Sequence, residues 1–286
     1  MNVGELGIIS LTDGQPGDEL EAYVRRVEEM GYGSVWLPEL FGREPFSTAA
    51  WLLGRTQRIQ VATGIANVYA RDAMTAAQCA QTLAELSGGR FAMGLGVSHP
   101  PMAEMRGHEW IAPGRKMRVY LQTIRDTEVQ SVSPEDVPPI IVAAHGPVLL
   151  RTAAELADGA FGYLMPPEHG DAAKAVLGDK PLLTVLPVAV DSDRDRALET
   201  AQKGLAMYMA LPAYHRAWAR FGLDVSDPVT LIDAIGAFGD VEHVHRKIRE
   251  YLDSGTDQVV LSPFHGDTPR SDGGLTRLEV LESLIS

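Results

Sequence analysis

The hydrophobic positions along the chain follow two alternating patterns. Short runs of consecutive apolar residues are typical of strands buried on both faces. Between these runs, apolar residues recur every three or four positions, which is typical of helices that bury one face. The predicted strands are Leu6–Leu11, Ser34–Pro38, Ile59–Ile65, Phe91–Val97, Pro139–Ala144, Ala160–Met165, Leu182–Val190 and Gln258–Ser262. Eight strand–helix units in succession predict an α/β fold, a (β/α)₈ TIM barrel.

Glycine and proline mark where these helices begin and end. Gly31 follows the first helical pattern, and Gly255 follows the last barrel helix. Glycine is common at helix C-termini because it adopts the left-handed conformation without strain. Pro147 stands at the start of the helix after the fifth strand, where its missing N–H costs no hydrogen bond. These positions support the division into strands and helices.

The segment Lys203–Phe238 departs from the alternation, because it contains about three helical patterns with no strand between them. We expect a helical insertion there, at about residues 203–238 and before the eighth strand, that caps the barrel. A chain of 286 residues can form one barrel with modest insertions, although length alone also allows two smaller α/β domains. No linker or low-complexity tract divides the chain, so a single domain over residues 1–286 is predicted.

Charge and composition exclude several classes of function. The 25 Lys and Arg against 38 Asp and Glu give a net charge of −13 without a basic stripe, which disfavours nucleic acid as a partner. No apolar stretch approaches the roughly 20 residues of a membrane helix, and a cytoplasmic location is expected. Cys79 is the only cysteine, and motifs for metal binding are missing, so neither an intrachain disulfide nor a metal site is predicted.

Two titratable side chains follow predicted strands at the end where this fold carries its active site. Glu39 follows strand two, where a carboxylate can exchange protons or hydrogen-bond a cofactor. The alternative for Glu39 is a structural ion pair with Arg71 or Arg43. His99 follows strand four, and its imidazole is suited to proton transfer near neutral pH. The alternative for His99 is that it caps the turn formed by the next two prolines.

The fifth strand ends in small residues and leads directly into a helix. Ala143 and Ala144 are followed by His145, Gly146 and Pro147, which open the helix. The first backbone N–H groups of a helix have no intrahelical partner, and together with the helix dipole they attract anions. This turn therefore predicts an anion site that needs no lysine. An ordinary turn punctuated by glycine and proline is the alternative.

Three segments at strand ends, in this order and spacing, are more specific together than any one alone. They are Val61-Ala-Thr-Gly-Ile-Ala-Asn67 with Arg71, Leu86-Ser-Gly-Gly-Arg-Phe91 leading into Gly94-Leu-Gly-Val-Ser98, and Val142-Ala-Ala-His-Gly-Pro147 with Ala157-Asp-Gly159. Together they resemble the bacterial luciferase-like oxidoreductases, and most closely the branch that uses the deazaflavin coenzyme F420. The resemblance extends from Leu6 to Pro263.

The resemblance implies a coenzyme site at the barrel mouth. The implied coenzyme contacts are Gly64, Ile65, Asn67, Gly96, Val97, Ser98, Ala143, Ala144, His145, Gly146, Pro147, Gly162 and Tyr163. It also implies a non-proline cis peptide bond between Gly64 and Ile65, behind the deazaflavin ring. Glu39 and His99 are then the predicted catalytic residues.

These sequence patterns say less about the substrate than about the coenzyme. Arg71 and Trp110 are the predicted substrate contacts. Several relatives that act on sugar phosphates or alcohols have a histidine after the acid at strand two, whereas this chain has Leu40, which argues against those substrates. His265, after the last strand, is interpreted as a solvated loop residue.

The resemblance implies an oxidoreductase that transfers a hydride between coenzyme F420 and a small organic substrate. One alternative is an FMN-dependent monooxygenase fed by a separate reductase. Another is a non-catalytic barrel that acts as a binding or companion subunit, since fold alone does not establish function. A homodimer is expected from the family, with no nucleic acid and no membrane as partner.

Overall fold

The computed structural model describes residues 4–9, 13–264 and 278–285. Within these residues the strands are β1 Leu6–Ile9, β2 Ser34–Leu37, β3 Gln60–Asn67, β4 Phe91–Gly96, β5 Ile140–Ala143, β6 Gly159–Tyr163, β7 Leu182–Val190, β8 Ala237–Gly239 and β9 Gln258–Pro263. The helices are α1 Gly17–Met30, α2 Pro45–Leu53, α3 Ala73–Ser87, α4 Pro100–Met105, α5 Pro113–Asp126, α6 Pro147–Leu156, α7 His169–Leu177, α8 Arg194–Met209, α9 Pro212–Trp218, α10 Pro228–Ile235, α11 Val241–Asp253 and α12 Leu278–Ile285. A short 3₁₀ helix spans Ala219–Phe221.

Eight of these strands close into a parallel barrel. The strands run β6-β5-β4-β3-β2-β1-β9-β7, and pairing of β6 with β7 closes the ring. All pairings are parallel, so every strand presents its carboxyl end to the same rim of the barrel. The predicted TIM barrel is confirmed. None of the described helices is long and apolar enough to cross a membrane.

The barrel interior is filled by one compact group of side chains. Its buried members, drawn from seven strands, are Trp36, Ala62, Ala92, Ile141, Phe161, Leu183, Val185 and Val260. The rings of Trp36 and Phe161 lie 4.8 Å apart between centroids. Large aromatic rings fit here because several neighbouring positions hold small residues: Ala62 and Ala92 belong to the group, and a Cβ on Gly64 would lie only 2.7 Å from Cβ of Trp36. This packed layer lies below the strand ends that carry the candidate site.

The helical segment before the last strand differs from its predicted form. Its first helix, α8, begins at Arg194 rather than near Lys203. The segment ends in a three-residue strand, β8, which sequence analysis did not predict. That strand pairs only with the outer end of β7, where Val188 lies opposite Ala237. Three residues carry no periodicity of their own, so a strand this short depends on the partner that it meets.

The segment has its own hydrophobic core. Trp218, Leu231, Ile232 and Phe238 pack with Leu164 and Met165, which follow β6. The indole N–H of Trp218 donates to the carbonyl of Leu164 at 2.6 Å. These contacts place α8, α9 and α10 over the carboxyl ends of the barrel strands, on the side of β6.

Candidate active site at the carboxyl ends of the strands

The predicted site residues lie together along the carboxyl rim. Gly64, Ile65 and Asn67 are in β3, Gly96 ends β4 and is followed by Val97 and Ser98, Ala143 ends β5 and is followed by Ala144 to Pro147, and Gly162 and Tyr163 end β6. The peptide bond between Gly64 and Ile65 is cis, as the resemblance implied. His265 lies outside the described residues.

Glu39 forms a nearly buried ion pair with Arg71. Its two oxygens accept hydrogen bonds from Nη1 and Nη2 of Arg71 at 2.9 and 2.7 Å, and one of them also accepts the backbone N–H of Asn67 at 2.7 Å. Only 8% of the Glu39 side chain and 11% of the Arg71 side chain are exposed. Arg43 instead donates to the carbonyl of Gln15.

This geometry favours the structural interpretation of Glu39. Burial alone would lower the pKa of the Arg71 guanidinium, but the hydrogen bonds and charge of Glu39, with the charge of Glu44, outweigh burial and raise that pKa. Both carboxylate oxygens already accept hydrogen bonds from protein donors, and Glu39 fixes the end of β3 through the N–H of Asn67. The role of Arg71 as a substrate contact competes with the same ion pair. Both functional roles stay predictions.

The bulge in β3 explains the glycine that ends β4. The pairing of β3 with β4 shifts register between Thr63 and Ala66. The side chain of Ile65 then lies across β4, and a Cβ on Gly96 would be 2.3 Å from its Cδ1. Gly96 therefore makes room for Ile65, a role that sequence analysis did not assign to it. Close approach of a flat ring to Gly96 stays a prediction.

His99 lies beneath a tyrosine of the helical segment. It occupies the N-cap position of α4, but its side chain makes no capping hydrogen bond, so the capping alternative is not supported. Its ring instead lies 6.2 Å from the ring of Tyr214 in α9. Burial lowers the pKa of His99. The imidazole is consequently neutral at pH 7 and can accept a proton.

Tyr214 also contacts the rims of β5 and β6. Its ring lies edge-on to His145 at 5.3 Å and to Tyr163 at 6.4 Å, and it packs on Trp218 at 5.5 Å. Only 7% of Tyr214 is exposed. The helical segment thus provides one aromatic wall of the candidate site. Sequence analysis did not assign Tyr214 to the site.

The N-terminus of α6 forms as predicted, and a cation lies beside it. Pro147 is the first helical residue and Gly146 the N-cap. Nη1 of Arg220 donates to the carbonyl of His145 at 3.3 Å. The Nδ1 atom of His145 is buried and has no hydrogen-bond partner among the described residues. Burial, with the nearby charges of His169, His99 and Arg220, lowers the pKa of His145 to about 3.

A second imidazole near this turn was missed by sequence analysis. His169 begins α7, is 2% exposed, and has no hydrogen-bond partner at either ring nitrogen within the described chain. Burial, and the charge of Arg220, lower its pKa to about 4. The Cε1 atom lies 3.5 Å from where a Cβ on Gly162 would be. Nothing local in the sequence predicts that His169 lies at this site, because its position arises from packing between α7 and β6.

Trp110 lies on another part of the rim. Its ring stacks on Tyr69 with 5.7 Å between centroids and 21° between planes. The hydroxyl of Tyr69 accepts the N–H of Ile111 at 3.0 Å, which fixes this loop. Trp110 thus has a structural partner, and its contact with a substrate stays a prediction. Among the described residues, no group of three or more His, Cys, Asp or Glu side chains is arranged to hold a metal ion.

A family model for luciferase-like monooxygenases matches residues 5–258 of the chain. The chain belongs to the luciferase-like monooxygenase family. This luciferase-like protein is 27% identical to the 5,10-methylenetetrahydromethanopterin reductase of Archaeoglobus fulgidus over 308 aligned positions, which cover 88% of the chain and 92% of the relative.

Two solved structures have the same fold, one of an F420-dependent enzyme and one of an enzyme in complex with FMN. One is the coenzyme F420-dependent tetrahydromethanopterin reductase of Methanopyrus kandleri, with a TM-score of 0.73, 19% identity and coverage of 98% of this chain and 97% of the other. The other is the oxygenating constituent of 3,6-diketocamphane monooxygenase from Pseudomonas putida in complex with FMN, with a TM-score of 0.69, 16% identity and coverage of 98% and 97%. The luciferase-like protein thus shares its barrel with F420-dependent and FMN-binding enzymes.

Proposed function

We propose that this luciferase-like oxidoreductase transfers a hydride between coenzyme F420 and a small organic substrate. The observation that carries the proposal is the turn after β5, where a buried, unpartnered Nδ1 of His145 adjoins the N-terminus of α6. A buried polar atom without a partner is costly, and a bound ligand would satisfy it. The N-terminal N–H groups of α6 would hold the anionic tail of the coenzyme.

The residues present therefore fit a coenzyme with a flat ring and an anionic tail. A bound deazaflavin would supply the hydride chemistry. The chain would supply orientation and proton transfer. Ile65, against Gly96, forms the floor of the site, and Tyr214 forms a wall that excludes water.

His99 is the proposed proton carrier. Its imidazole is neutral near pH 7 because burial lowers its pKa. In that form a ring nitrogen accepts the proton of a substrate hydroxyl during oxidation and returns it during reduction. Glu39 would act by holding the end of β3 through the Asn67 N–H rather than by exchanging a proton. In this proposal, His99 after β4 transfers the proton, and Glu39 after β2 positions the end of β3.

An FMN-dependent monooxygenase is the second candidate. The fold shared with the FMN complex from Pseudomonas putida supports it, since the same turn after β5 would hold the phosphate of either coenzyme. A small-molecule substrate, a homodimer and a cytoplasmic location complete the proposal, and each stays a prediction. Light scattering would test the dimer by a mass twice the 31.0 kDa of the chain.

Titration of the purified protein with F420 and with FMN, followed by absorbance and fluorescence, tests the proposal. We expect F420 to bind with a dissociation constant in the micromolar range or below, and FMN at least about tenfold more weakly. Tighter binding of FMN would favour the monooxygenase. If neither binds at high micromolar concentration, the non-catalytic barrel becomes the better interpretation.

A further inference from the structure

Arg220 lies on the positive end of a helix. A Cβ on Gly146, the N-cap of α6, would lie 3.0 Å from Nη1 and 3.3 Å from Nη2 of Arg220. The guanidinium therefore packs directly against the backbone where α6 begins. The N-terminus of this ten-residue helix carries a partial positive charge of its own. Arg220 is exposed, so water solvates its outer face, but together with the helix N-terminus it makes a positive point on the rim that attracts an anion.

The described part of the chain provides no carboxylate for this positive point. No carboxylate there lies within 4.0 Å of Arg220, although other arginines of the described chain, such as Arg71 and Arg118, do form ion pairs. The one acceptor found for its guanidinium is the carbonyl of His145, at 3.3 Å. Arg220 is thus an arginine whose position against α6 is explained by no protein anion.

Two imidazoles adjoin the same point, the buried ring of His169 and the half-buried ring of His145. The backbone carbonyl of His145 accepts from Arg220, and the ring of His169 lies 6.0 Å from the ring of Phe221, the residue that follows Arg220. His169 is 2% exposed, and neither of its ring nitrogens has a partner among the described residues. A neutral imidazole always carries one N–H donor. The groups that meet here are therefore a guanidinium with one carbonyl partner, the ring N–H of His169 and the helix N–H groups, which is a donor set suited to phosphoryl oxygens.

We propose that Arg220, His169 and the N-terminus of α6 form a phosphoryl receptor shared between the barrel and the helical segment. The inference rests on the proposed function in that the phosphoryl group is the one in the coenzyme tail. It adds two residues that neither the sequence motifs nor the comparisons assign. It also gives the helical segment a role, because Arg220 lies in the 3₁₀ helix that follows α9, and a bound phosphoryl group fastens that helix to β5 and β6.

The test compares each coenzyme with its phosphate-free counterpart: F420 with the ribityl deazaflavin that lacks the phosphate, and FMN with riboflavin. Dissociation constants are measured by fluorescence for the unchanged protein and for R220Q, H169Q and R216Q. Arg216 is the matched control, since it is an exposed arginine one turn earlier, also with no carboxylate within 4.0 Å in the described chain. Melting temperatures confirm that the variants fold.

We expect R220Q to weaken binding of the phosphate-bearing coenzyme by about tenfold or more, and H169Q by a smaller factor, without changing affinity for the phosphate-free form. R216Q should match the unchanged protein. Equal losses for both forms of the coenzyme, or equal losses in R220Q and R216Q, would overturn the receptor while leaving the proposed function intact.

If neither coenzyme binds, inorganic phosphate tests the phosphoryl receptor separately from the proposed function. Its binding is then followed by calorimetry at low ionic strength in the unchanged protein and in R220Q. Binding that depends on Arg220 would support the receptor although the proposed function had failed. Phosphate binding that is absent, or unchanged in R220Q, would overturn the receptor as well.

Discussion

Replacing Glu39 with glutamine should destabilise the protein through its ion pair rather than through loss of a catalytic group. The substitution keeps one oxygen to accept the Asn67 N–H, at 2.7 Å in the structure, but turns an amide NH₂ towards the guanidinium of Arg71. The pair is nearly buried, with exposed fractions of 8% and 11%. Removing one partner of a buried pair costs about 3–5 kcal/mol because the other charge is left uncompensated.

The lower end of that range applies here. Arg71 retains Glu44, whose Oε1 lies 3.0 Å from Nη2, but 46% of the Glu44 side chain is exposed, so water screens the remaining pair. We therefore expect E39Q to lose about 3 kcal/mol of unfolding free energy, which lowers the melting temperature by about 6 °C.

Urea denaturation followed by circular dichroism measures this loss. The control is E155Q, which breaks the exposed pair of Glu155 with Arg118, 2.6 Å apart and 54% and 40% exposed. Such surface pairs contribute about 0–1 kcal/mol. The double variant E39Q/R71M should regain part of the loss, since no buried charge is then left alone. A loss in E39Q no larger than in E155Q would refute the buried ion pair. Loss of one limb of the pH profile of turnover in E39Q would restore its catalytic role.

Three further substitutions test the site. H99Q should lower turnover by about 10²-fold or more with little change in coenzyme affinity, because it removes only proton transfer; near-normal turnover would exclude that role. The folded pKa of His169 is about 4, below the unfolded value of about 6.5. As pH falls from ~6.5 the unfolded state takes up a proton first, so His169 contributes a loss of about 1.4 kcal/mol of stability per pH unit until about pH 4, beside a similar contribution from His145, whose pKa is about 3. H169Q should reduce the slope in urea titrations by that contribution, and an unchanged slope would contradict the buried neutral ring. G96A should displace Ile65, cost about 1–3 kcal/mol and weaken coenzyme binding, and I65A in the same chain should relieve the clash; a well-folded G96A of unchanged affinity would argue against this packing.

Features with a local cause were predictable from the chain alone. Continuous apolar runs and helical periodicity gave the eight barrel strands because each pattern depends on residues two to four positions apart. Pro147 after Gly146 marked the start of α6 for the same reason. The motif around Gly64 and Ile65 carried enough information to predict the cis bond between them, through family resemblance rather than through a local rule.

Other features depend on which distant residues meet when the barrel closes. Sequence placed Glu39, Arg43 and Arg71 on one rim but left the ion pair undecided, and the folded chain pairs Glu39 with Arg71. The family resemblance implied that Gly96 contacts the coenzyme, and the packing shows that Gly96 accommodates the side chain of Ile65.

The helical segment shows the same limit most clearly. The periodicity of the sequence predicted its helices, but it did not predict the surface against which those helices pack. Trp218 reaches the carbonyl of Leu164 across 54 positions, and Arg220 reaches that of His145 across 75. No short-range pattern encodes such separations, because they are set by the joint packing of the barrel and the segment. The sequence by itself thus determined the barrel and the rim on which chemistry would lie, and the tertiary structure alone decided which side chains share that rim.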